Sequence, residues 1–499
     1  MKPILNSKQS LAVEKINEFI NQTDLFIFYL MGFAGTGKTF LMSNIIKNLL
    51  IEKKLDHIHI CAPTHTALNV IESYFRANFI DVPIDHKSYS FLTIHKLLEF
   101  KPVIMDKDGS KKFQSKNESK FLKQITSKLI IIDECSMISK EMVQRLSIYS
   151  SLYSIKIIYM GDKKQLNPIS EVQSLIFTSI PTIPTPYPYY ILLDEIMRTN
   201  SPDIKDVCTQ IRKWDPTSPL GDLILPIHQR KSPNKSFKLY HKKQPFSSNT
   251  WFKHFIQKLS SNQVPIIITW QNIPADQYNQ LIRQHIHKDV PGANLSNYVI
   301  NDVLMFKNFY STSDQVRFYT ANMVKILHIK TEEKTLFDWE SLIVPNPTDS
   351  LNKGLNSMIG IINKKHNFKI DTMGVNRINA CTNEMDNHTC IIQSINRVDL
   401  EEYEQMLNLI KGQFKLFYEK YRSSKLIQKL WEIYHDKLIN PYASINYGYA
   451  ITGHKAQGST FHTVYIDVND ICKNNNLSEM KKLLYTSSGR ASESLNFLM

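Results

Sequence analysis

The stretch Gly32-Phe33-Ala34-Gly35-Thr36-Gly37-Lys38-Thr39 has the spacing G-x-x-x-x-G-K-T and follows, after Met31, on the apolar run 25–30, LFIFYL. A strand that ends in a glycine-rich turn and restarts as a helix presents backbone N–H groups and a helix N-terminus, which together favour a polyphosphate. In that arrangement Lys38 would reach the β- and γ-phosphates and the Thr39 hydroxyl would sit on Mg²⁺. A second apolar run, KLIII, ends in Asp133-Glu134. An aspartate there completes the Mg²⁺ shell opposite Thr39, and the adjacent glutamate orients the attacking water. Past the next run, IYM, the segment GDKKQLNPI carries Gln165. A neutral amide at this edge can hydrogen-bond both the γ-phosphate and that water. Phosphoryl transfer also needs positive charge at the departing phosphate, and an arginine from a second lobe would couple hydrolysis to lobe closure. Arg198 in DEIMRTN and Arg490 in YTSSGRAS are the candidates.

Other clusters suit a phosphate backbone. YAITGHKAQGSTF, residues 449–461, sets His454, Lys455 and Gln457 beside small residues and glycine, giving donors with room for close approach. CAPTHTAL (61–68) and FLTIHKLL (91–98) offer Thr64, His65, Thr93 and His95 after or near strands. A lone histidine is more often a satisfied structural residue, which is the competing reading for His95.

These groups need elements to hold them. Strands are expected at 25–30, 57–62, 128–133, 155–160, 264–270 and 463–468, with helical stretches between. Continuous apolar runs suit parallel strands covered on both faces, so the fold class is α/β, with ligands outside the carboxyl ends of the strands. Residues about 100–120 carry a KDGS turn between VIM and KKF, which predicts a β-hairpin inserted into the first α/β unit. The proline-rich 181–189 reads as a connector. Residues 287–440 break the alternation, with antiparallel strands in NDVLMFKNFYS and VRFYTANMVKILHI followed by long amphipathic helices.

Composition narrows the partners. Lys and Arg number 60 against 46 Asp and Glu, a formal net charge of +14, for which nucleic acid is the leading counterpart. No apolar segment approaches the ~20 residues of a membrane-spanning helix and the N-terminal MKPILNSKQS is no signal peptide, so a soluble intracellular protein without membrane partners is expected. Six scattered cysteines fit free thiols in a reducing compartment. Cys381, His388 and Cys390 lack zinc-finger spacing and read as a surface loop. Between Asp222 and Asp276 there is no acidic residue, while Arg230, Lys231, Lys235, Lys238, Lys242 and Lys243 surround Phe237 and Tyr240. Such a basic segment, 226–243, could follow a backbone and stack on bases, or be a solubilising loop.

Taken in order, GFAGTGKT, CAPTHTAL, FLTIHKLL, IIDECSM, GDKKQL, IMRTN, YAITGHKAQGSTF and LLYTSSGRA resemble the motifs of superfamily 1 helicases, with spacing like the RecD/Dda-like 1B branch. The motifs fall within residues 5–200 and 265–499; the middle matches only loosely. The resemblance implies two RecA-like parallel-sheet P-loop lobes with ATP between them, an inserted β-hairpin pin and an inserted SH3-like and helical subdomain. It places a first lobe at 1–190 with the pin at about 99–122, a second at 191–286 and 441–499, and the insert at 287–440. It implies ATP- and Mg²⁺-dependent, 5′-to-3′ movement on single-stranded DNA and opening of forked duplexes, in replication, repair or recombination. Gln9 falls where the family reads adenine; Gly32, Phe33, Ala34, Gly35, Thr36, Gly37, Lys38, Thr39, Asp133, Glu134, Gln165, Arg198, Gln457, Gly458 and Arg490 fall on ATPase positions. Pro63, Thr64, His65, Thr93, His95, Thr452, His454 and Lys455 fall on DNA-tracking positions, and Phe113 is the candidate wedge, its alternative a residue packed on its own hairpin. QLNPI has one proline where the family often has two, and SSGRA is small and polar ahead of its arginine; neither removes a charged group. The rival readings are an RNA helicase, and a single-strand translocase or remodelling ATPase that does not separate strands. Richness in Lys, Asn and Ile, with a compact helicase of this branch, points to a virus or mobile element. The chain is expected to act as a monomer, with a single-strand-binding or replisome protein as a further partner, in the cytoplasm or a viral replication site, otherwise in nucleus or nucleoid.

Overall fold

The structure, a computed structural model, describes residues 5–52, 55, 57–78, 88–115, 129–168, 171–179, 189–229, 235–244, 248–261, 263–288, 297–363, 367–379 and 384–499. Its strands are β1 (Ile27–Gly32), β2 (Ile58–Ala62), β3 (Tyr89–Thr93), β4 (Phe100–Ile104), β5 (Lys111–Ser115), β6 (Leu129–Ile132), β7 (Lys156–Gly161) and β8 (Tyr190–Leu193) in the first part of the chain. Apart from the β4–β5 hairpin they form a parallel sheet of order β3-β2-β6-β7-β1-β8. Alternate residues of each strand enter different cores. Phe28, Leu30, Ile60, Ile131 and Ile158 pack with the helices Ser7–Asn21, Lys38–Ile51 and His65–Asn78, whereas Tyr29, Cys61, Ile130, Ile132 and Ile157 pack with the helix Lys140–Tyr153. Both faces are therefore covered, which is why runs such as LIII carry no polar alternation. Because β6, β7 and β1 are neighbours, the segments leaving their carboxyl ends meet at one edge.

A second parallel sheet has the order β18-β10-β19-β20-β9, from β9 (Phe237–Tyr240), β10 (Ile266–Thr269), β18 (Ala450–Thr452), β19 (Phe461–Asp467) and β20 (Ala491–Leu498). Between β10 and β18 the chain builds an antiparallel sheet of order β16-β15-β14-β11-β17, using β11 (Val303–Phe306), β14 (Met323–Thr335), β15 (Asn367–Ile378), β16 (Met385–Ile395) and β17 (Ile445–Tyr447), with a small ladder of β12 (Tyr310–Ser311) and β13 (Arg317–Phe318) beside it. One apolar core runs from the second parallel sheet into this antiparallel one, so the two pack as one body. The helices Ser350–Ile362, Leu400–Tyr421 and Ser424–Ile433 form an arm with its own core around Trp339, Phe414 and Trp431.

The arm braces the hairpin. Trp431 Nε1 donates to the Asp106 carbonyl at 3.2 Å, and His435 Nε2 lies 3.1 Å from the Gly109 carbonyl. Gly109, at φ +64°, leaves no room for a side chain, since a Cβ there would lie 2.3 Å from the indole. Phe113 stands in β5 opposite Pro102, but its side chain lies outside the described residues, as do residues 116–122.

One expectation is corrected. In the basic segment 226–243 the helix Leu220–Gln229 runs into the start, β9 forms an edge of the second sheet against β20, and residues 230–234 lie outside the described residues. Phe237 is buried edge-on against Phe497 at 5.1 Å, and Lys242 pairs with Asp467, so Phe237 presents no face to a base. The apolar alternation of FKLY beside β20 outweighs the surrounding charge. Arg230, Lys231 and most of 181–189 lie outside the described residues, as does Cys381; His388 and Cys390, expected in a surface loop, stand instead in β16, where the ladder to β15 buries Cys390.

Candidate active site and nucleic-acid face

The segment after β1 turns twice through positive φ, at Gly35 (+79°) and Gly37 (+78°), and Gly37 caps the helix that starts at Lys38. At Gly35 a Cβ would come within 2.8 Å of Arg198 Cβ, so glycine is required both for conformation and for the approach of the 196–198 segment. That segment is tied back through Met197 N and Arg198 N to the Gly35 carbonyl at 2.7 and 2.9 Å. Lys38 is buried, and its ammonium donates to the Gly32 and Phe33 carbonyls at 2.9 and 3.0 Å. Burial lowers its pKa, opposed by Asp162, Asp133 and Glu134.

Thr39 Oγ1 donates to Asp133 Oδ2 at 2.7 Å. Burial and then the Glu134 carboxylate push the Asp133 carboxyl up to about 6, against the pull of Thr39 and Lys38. Glu134 adopts φ +51°, and its backbone N–H donates to Asp133 Oδ1 at 2.8 Å. Gln165 is buried beyond β7, and its Oε1 accepts from Arg490 Nη2 at 3.1 Å. Arg490 comes from the far end of the chain and is 1% exposed. It also donates from Nε to the Thr486 carbonyl at 3.0 Å and from Nη1 to the Ser459 carbonyl at 3.3 Å. Burial and the Arg198 guanidinium lower its pKa to about 10, so it remains a cation at neutral pH. Arg198 Nη1 reaches the Gly489 carbonyl. On the other side, Gln9 and Asn6 form a capping box at the helix Ser7–Asn21, which fixes the Gln9 amide so that Nε2 donates to the Thr36 carbonyl at 3.2 Å.

These residues surround one cavity of about 380 Å³ between the two parallel sheets. Gln9, Gly35, Thr36, Gly37, Lys38, Thr39, Asp133, Glu134, Gln165, Arg198, Gly458 and Arg490 all line it. Gly32, Phe33, Ala34 and Gln457 do not; Gln457 is buried at the end of the short helix Gly453–Ala456, and among the described residues its amide has no hydrogen-bond partner. Ala67, Val70 and Tyr74 add an apolar wall that sequence reading missed, although their i, i+3, i+7 spacing on the helix His65–Asn78 was the available signal.

A second set lies across the junction of the first sheet, the second sheet and the antiparallel insert. His65 stacks on Tyr319 at 4.6 Å and 15°, and Phe309, 55% exposed, leans on both. Arg317, His95 and Lys96 are close enough to lower the His65 pKa after burial has done so, and Lys307 does the same at Lys455. Lys455 Nζ donates to Asn272 Oδ1 at 3.3 Å, and His454 lies 3.8 Å from Glu479. Thr64 and Thr93 use their hydroxyls as caps, accepting from Ala67 N at 3.2 Å and Lys96 N at 3.3 Å, which leaves them a backbone-shaping role beside Pro63. His95 lies edge-on to Phe100, and Thr452 is buried at the start of its short helix. Tyr319, Phe309 and Arg317 were not foreseen, because the face they complete exists only once the insert docks on the first lobe.

Residues 17–171 match the family model described as an AAA domain, and residues 447–498 match the UvrD-like helicase C-terminal domain. The chain is 49% identical over 503 residues to "Uncharacterized protein R530" of Acanthamoeba polyphaga mimivirus, covering 99% of this chain and 100% of that one. It is 32% identical over 173 residues to the RecBCD enzyme subunit RecD of Buchnera aphidicola, covering 33% of this chain and 27% of that protein. Among solved structures, the Pif1 helicase from Candida albicans aligns with TM-score 0.48 at 14% identity, covering 99% of this chain and 95% of that one. Among the described residues no helix is long and apolar enough to cross a membrane, and no three His, Cys, Asp or Glu side chains group as metal ligands. With 49% identity to that mimivirus protein over nearly the whole of both chains, this chain belongs to the same family, and it carries an AAA domain at residues 17–171 and a UvrD-like helicase C-terminal domain at residues 447–498.

Proposed function

We propose that this chain is an ATP-dependent DNA helicase that moves 5′-to-3′ on a single strand and separates the duplex ahead of it. The observation that carries the reading is the meeting, in one cavity, of Lys38, Thr39, Asp133 and Glu134 from the first lobe with Arg490 from the second, joined by the Arg490–Gln165 hydrogen bond. We take the lobes as residues up to Leu193, and from Asp194 to the start of β11 together with residues after Tyr447, the remainder being the insert.

The Gly35–Lys38 backbone would cradle the phosphates, with Lys38 moving its ammonium from the Gly32 and Phe33 carbonyls to the β- and γ-oxygens. Thr39 and Asp133 offer the hard oxygen donors that fit Mg²⁺, already aligned by their mutual hydrogen bond. When bound, that ion would neutralise charge on the phosphate oxygens. Glu134 would accept the proton of the attacking water, Gln165 would hold that water, and Arg490 and Arg198 would stabilise charge on the transferred group. Gln9 would read the adenine edge by its fixed amide.

Because the cations of the cavity come from both lobes, hydrolysis would change how firmly the lobes hold each other, and the strand lying across both would be moved by that change. The His65–Tyr319 stack with the exposed Phe309 tilted against it supports single-strand contact, since aromatic faces hold bases without regard to sequence. The braced β4–β5 hairpin, with Phe113 as wedge, would meet the duplex. A viral relative favours a role in replication or repair of a viral genome.

The test is ATP hydrolysis and unwinding measured together on forked duplexes with a 5′ or a 3′ tail, in DNA and RNA, with Glu134→Gln as control. Opening only from the 5′ DNA tail, lost in the variant, is the expected result. Stimulated hydrolysis without opening would leave a translocase, and preference for the RNA fork would make it an RNA helicase.

A further inference from the structure

Beside the cavity, a buried cluster joins the two lobes without entering the chemistry above. The Asp162 carboxylate, in the loop after β7, has no side-chain exposure. It accepts from Arg212 Nη1 at 2.6 Å (Oδ1) and 2.9 Å (Oδ2), and from the Tyr485 hydroxyl at 2.8 Å (Oδ2). Arg212 Nη1 lies 3.1 Å from the same hydroxyl, whose oxygen accepts the Ala34 backbone N–H at 3.0 Å. The Arg212 guanidinium stacks on the Phe33 ring at 3.8 Å. Ala34 packs into the core of the second lobe, where a Cβ on Gly489 would lie 3.0 Å from its methyl.

Asp162, Phe33 and Ala34 belong to the first lobe, whereas Arg212, on the helix Pro202–Lys213, and Tyr485, on the helix Leu477–Ser488, belong to the second. Phe33 faces both ways: its ring meets Arg212 and its carbonyl receives the Lys38 ammonium at 3.0 Å. We propose that Arg212 and Tyr485 are positioning residues that clamp the first half of the phosphate loop to the second lobe through Asp162, coupling nucleotide affinity to the hold on the single strand. The inference rests on the helicase reading above.

The clamp acts as a unit because its parts share atoms. Hydrogen bonds weaken steeply with misalignment, so a lobe displacement of an ångström or two breaks the Tyr485 and Arg212 contacts together. Losing them leaves the buried Asp162 charge with the Lys164 backbone N–H, at 3.0 Å from Oδ1, and without its cationic partner, so intermediate arrangements are disfavoured relative to the aligned or the fully opened one. Such a two-state element, biased by ligands on both sides, transmits affinity in both directions equally.

The experiment measures the Kd of a fluorescently labelled ADP on the full chain with and without saturating oligo(dT), in wild type, Tyr485→Phe and Arg212→Lys, with thermal melts of each. The wild-type ratio of the two Kd values is expected at about 5-fold or more. Tyr485→Phe keeps the ring and removes only the shared hydroxyl; Arg212→Lys keeps charge at Asp162 and removes the flat face on Phe33. Both should bring the ratio to within about 2-fold of unity while oligo(dT) affinity without nucleotide stays within about 2-fold of wild type. A merely structural role would lower the melting temperature and leave the ratio in place, and that result in either folded variant overturns the inference. A wild type that binds both ligands with a ratio of one also overturns it and spares the helicase reading; a wild type that binds no nucleotide overturns both.

Discussion

Replacing Arg490 with lysine tests the phosphoryl-transfer assignment most directly. The guanidinium spans three oxygens on three different segments, at 3.0 Å (Thr486), 3.3 Å (Ser459) and 3.1 Å (Gln165), in a place that is 1% exposed. A lysine ammonium is a point charge and cannot span all three. With one bond kept, two buried acceptors lose their donor at about 1–3 kcal/mol each, so a destabilisation of about 2–6 kcal/mol is expected. The kinetic loss is separate. An arginine supplied to a transferring phosphate is worth about 10³–10⁵ in kcat, so even the lower end removes about 4 kcal/mol of transition-state stabilisation. The assay is steady-state, strand-stimulated ATP hydrolysis at 20 °C, with circular dichroism to show that the variant is folded and labelled ADP to show that the site binds. The expected result is kcat lowered by about 10³ with KM within about 3-fold, because the interaction is made in the transition state. A folded variant with kcat within about 3-fold of wild type would refute the assignment, and Arg490 would then be a bolt between segments.

Glu134→Gln preserves shape and should keep nucleotide binding while lowering kcat by about 10²–10⁴; retained hydrolysis would move the proton acceptor elsewhere. Lys455→Ala should reduce the slope of log affinity for single-stranded DNA against log salt by about 0.7, and an unchanged slope would remove Lys455 from the strand path. Trp431→Ala should cost about 3–5 kcal/mol through the cavity it leaves in the arm and should release the hairpin, so that strand separation falls further than ATP hydrolysis; equal loss of both would show that the brace is only structural. Stability should fall on acidification from about pH 6.5 to pH 4. In that window His59 and His254, both lowered to about 4 chiefly by burial, stay neutral when folded while the unfolded chain takes up protons. Asp133, raised to about 6, acts in the opposite sense, so the comparison is urea unfolding of wild type and His59→Asn across that range, where an unchanged slope would remove His59 from the cause.

The cavity between the lobes was legible because its residues stand on short segments at strand ends. Lys38, Thr39, Asp133 and Gln165 each follow a run whose apolar character marks a buried strand, and the parallel order β6-β7-β1 then brings those ends together. Arg490 was legible as a residue type but not as a partner of Gln165, since 325 positions separate them and only the docking of the lobes sets their distance. Phe237 misled for a related reason: basic neighbours are visible in sequence, whereas its burial against Phe497 depends on a strand that ends at Leu498. Tyr319 and Phe309 escaped because an aromatic residue reads alike in a core or on an open face, and only the parallel stack of Tyr319 on His65 and the exposure of Phe309 beside it distinguish them.

The placement of charge says more than its total. Lys38 and Arg490 are both buried, and their hydrogen-bond partners among the described residues are neutral oxygens, the carbonyls of Gly32, Phe33, Thr486 and Ser459 and the amide of Gln165. A cation satisfied by carbonyls keeps its positive field, whereas one paired with a carboxylate loses most of it, as Arg212 does against Asp162. Burying cations that no carboxylate pairs directly costs stability, and burial lowers the pKa of both groups although nearby carboxylates, Asp162, Asp133 and Glu134 at Lys38 and Glu134 at Arg490, oppose it. A fold that accepts that cost at two points on one cavity has a site built to receive an anion of high charge, and the carboxylates of Asp133 and Glu134 beside it require that the anion arrive with a cation of its own.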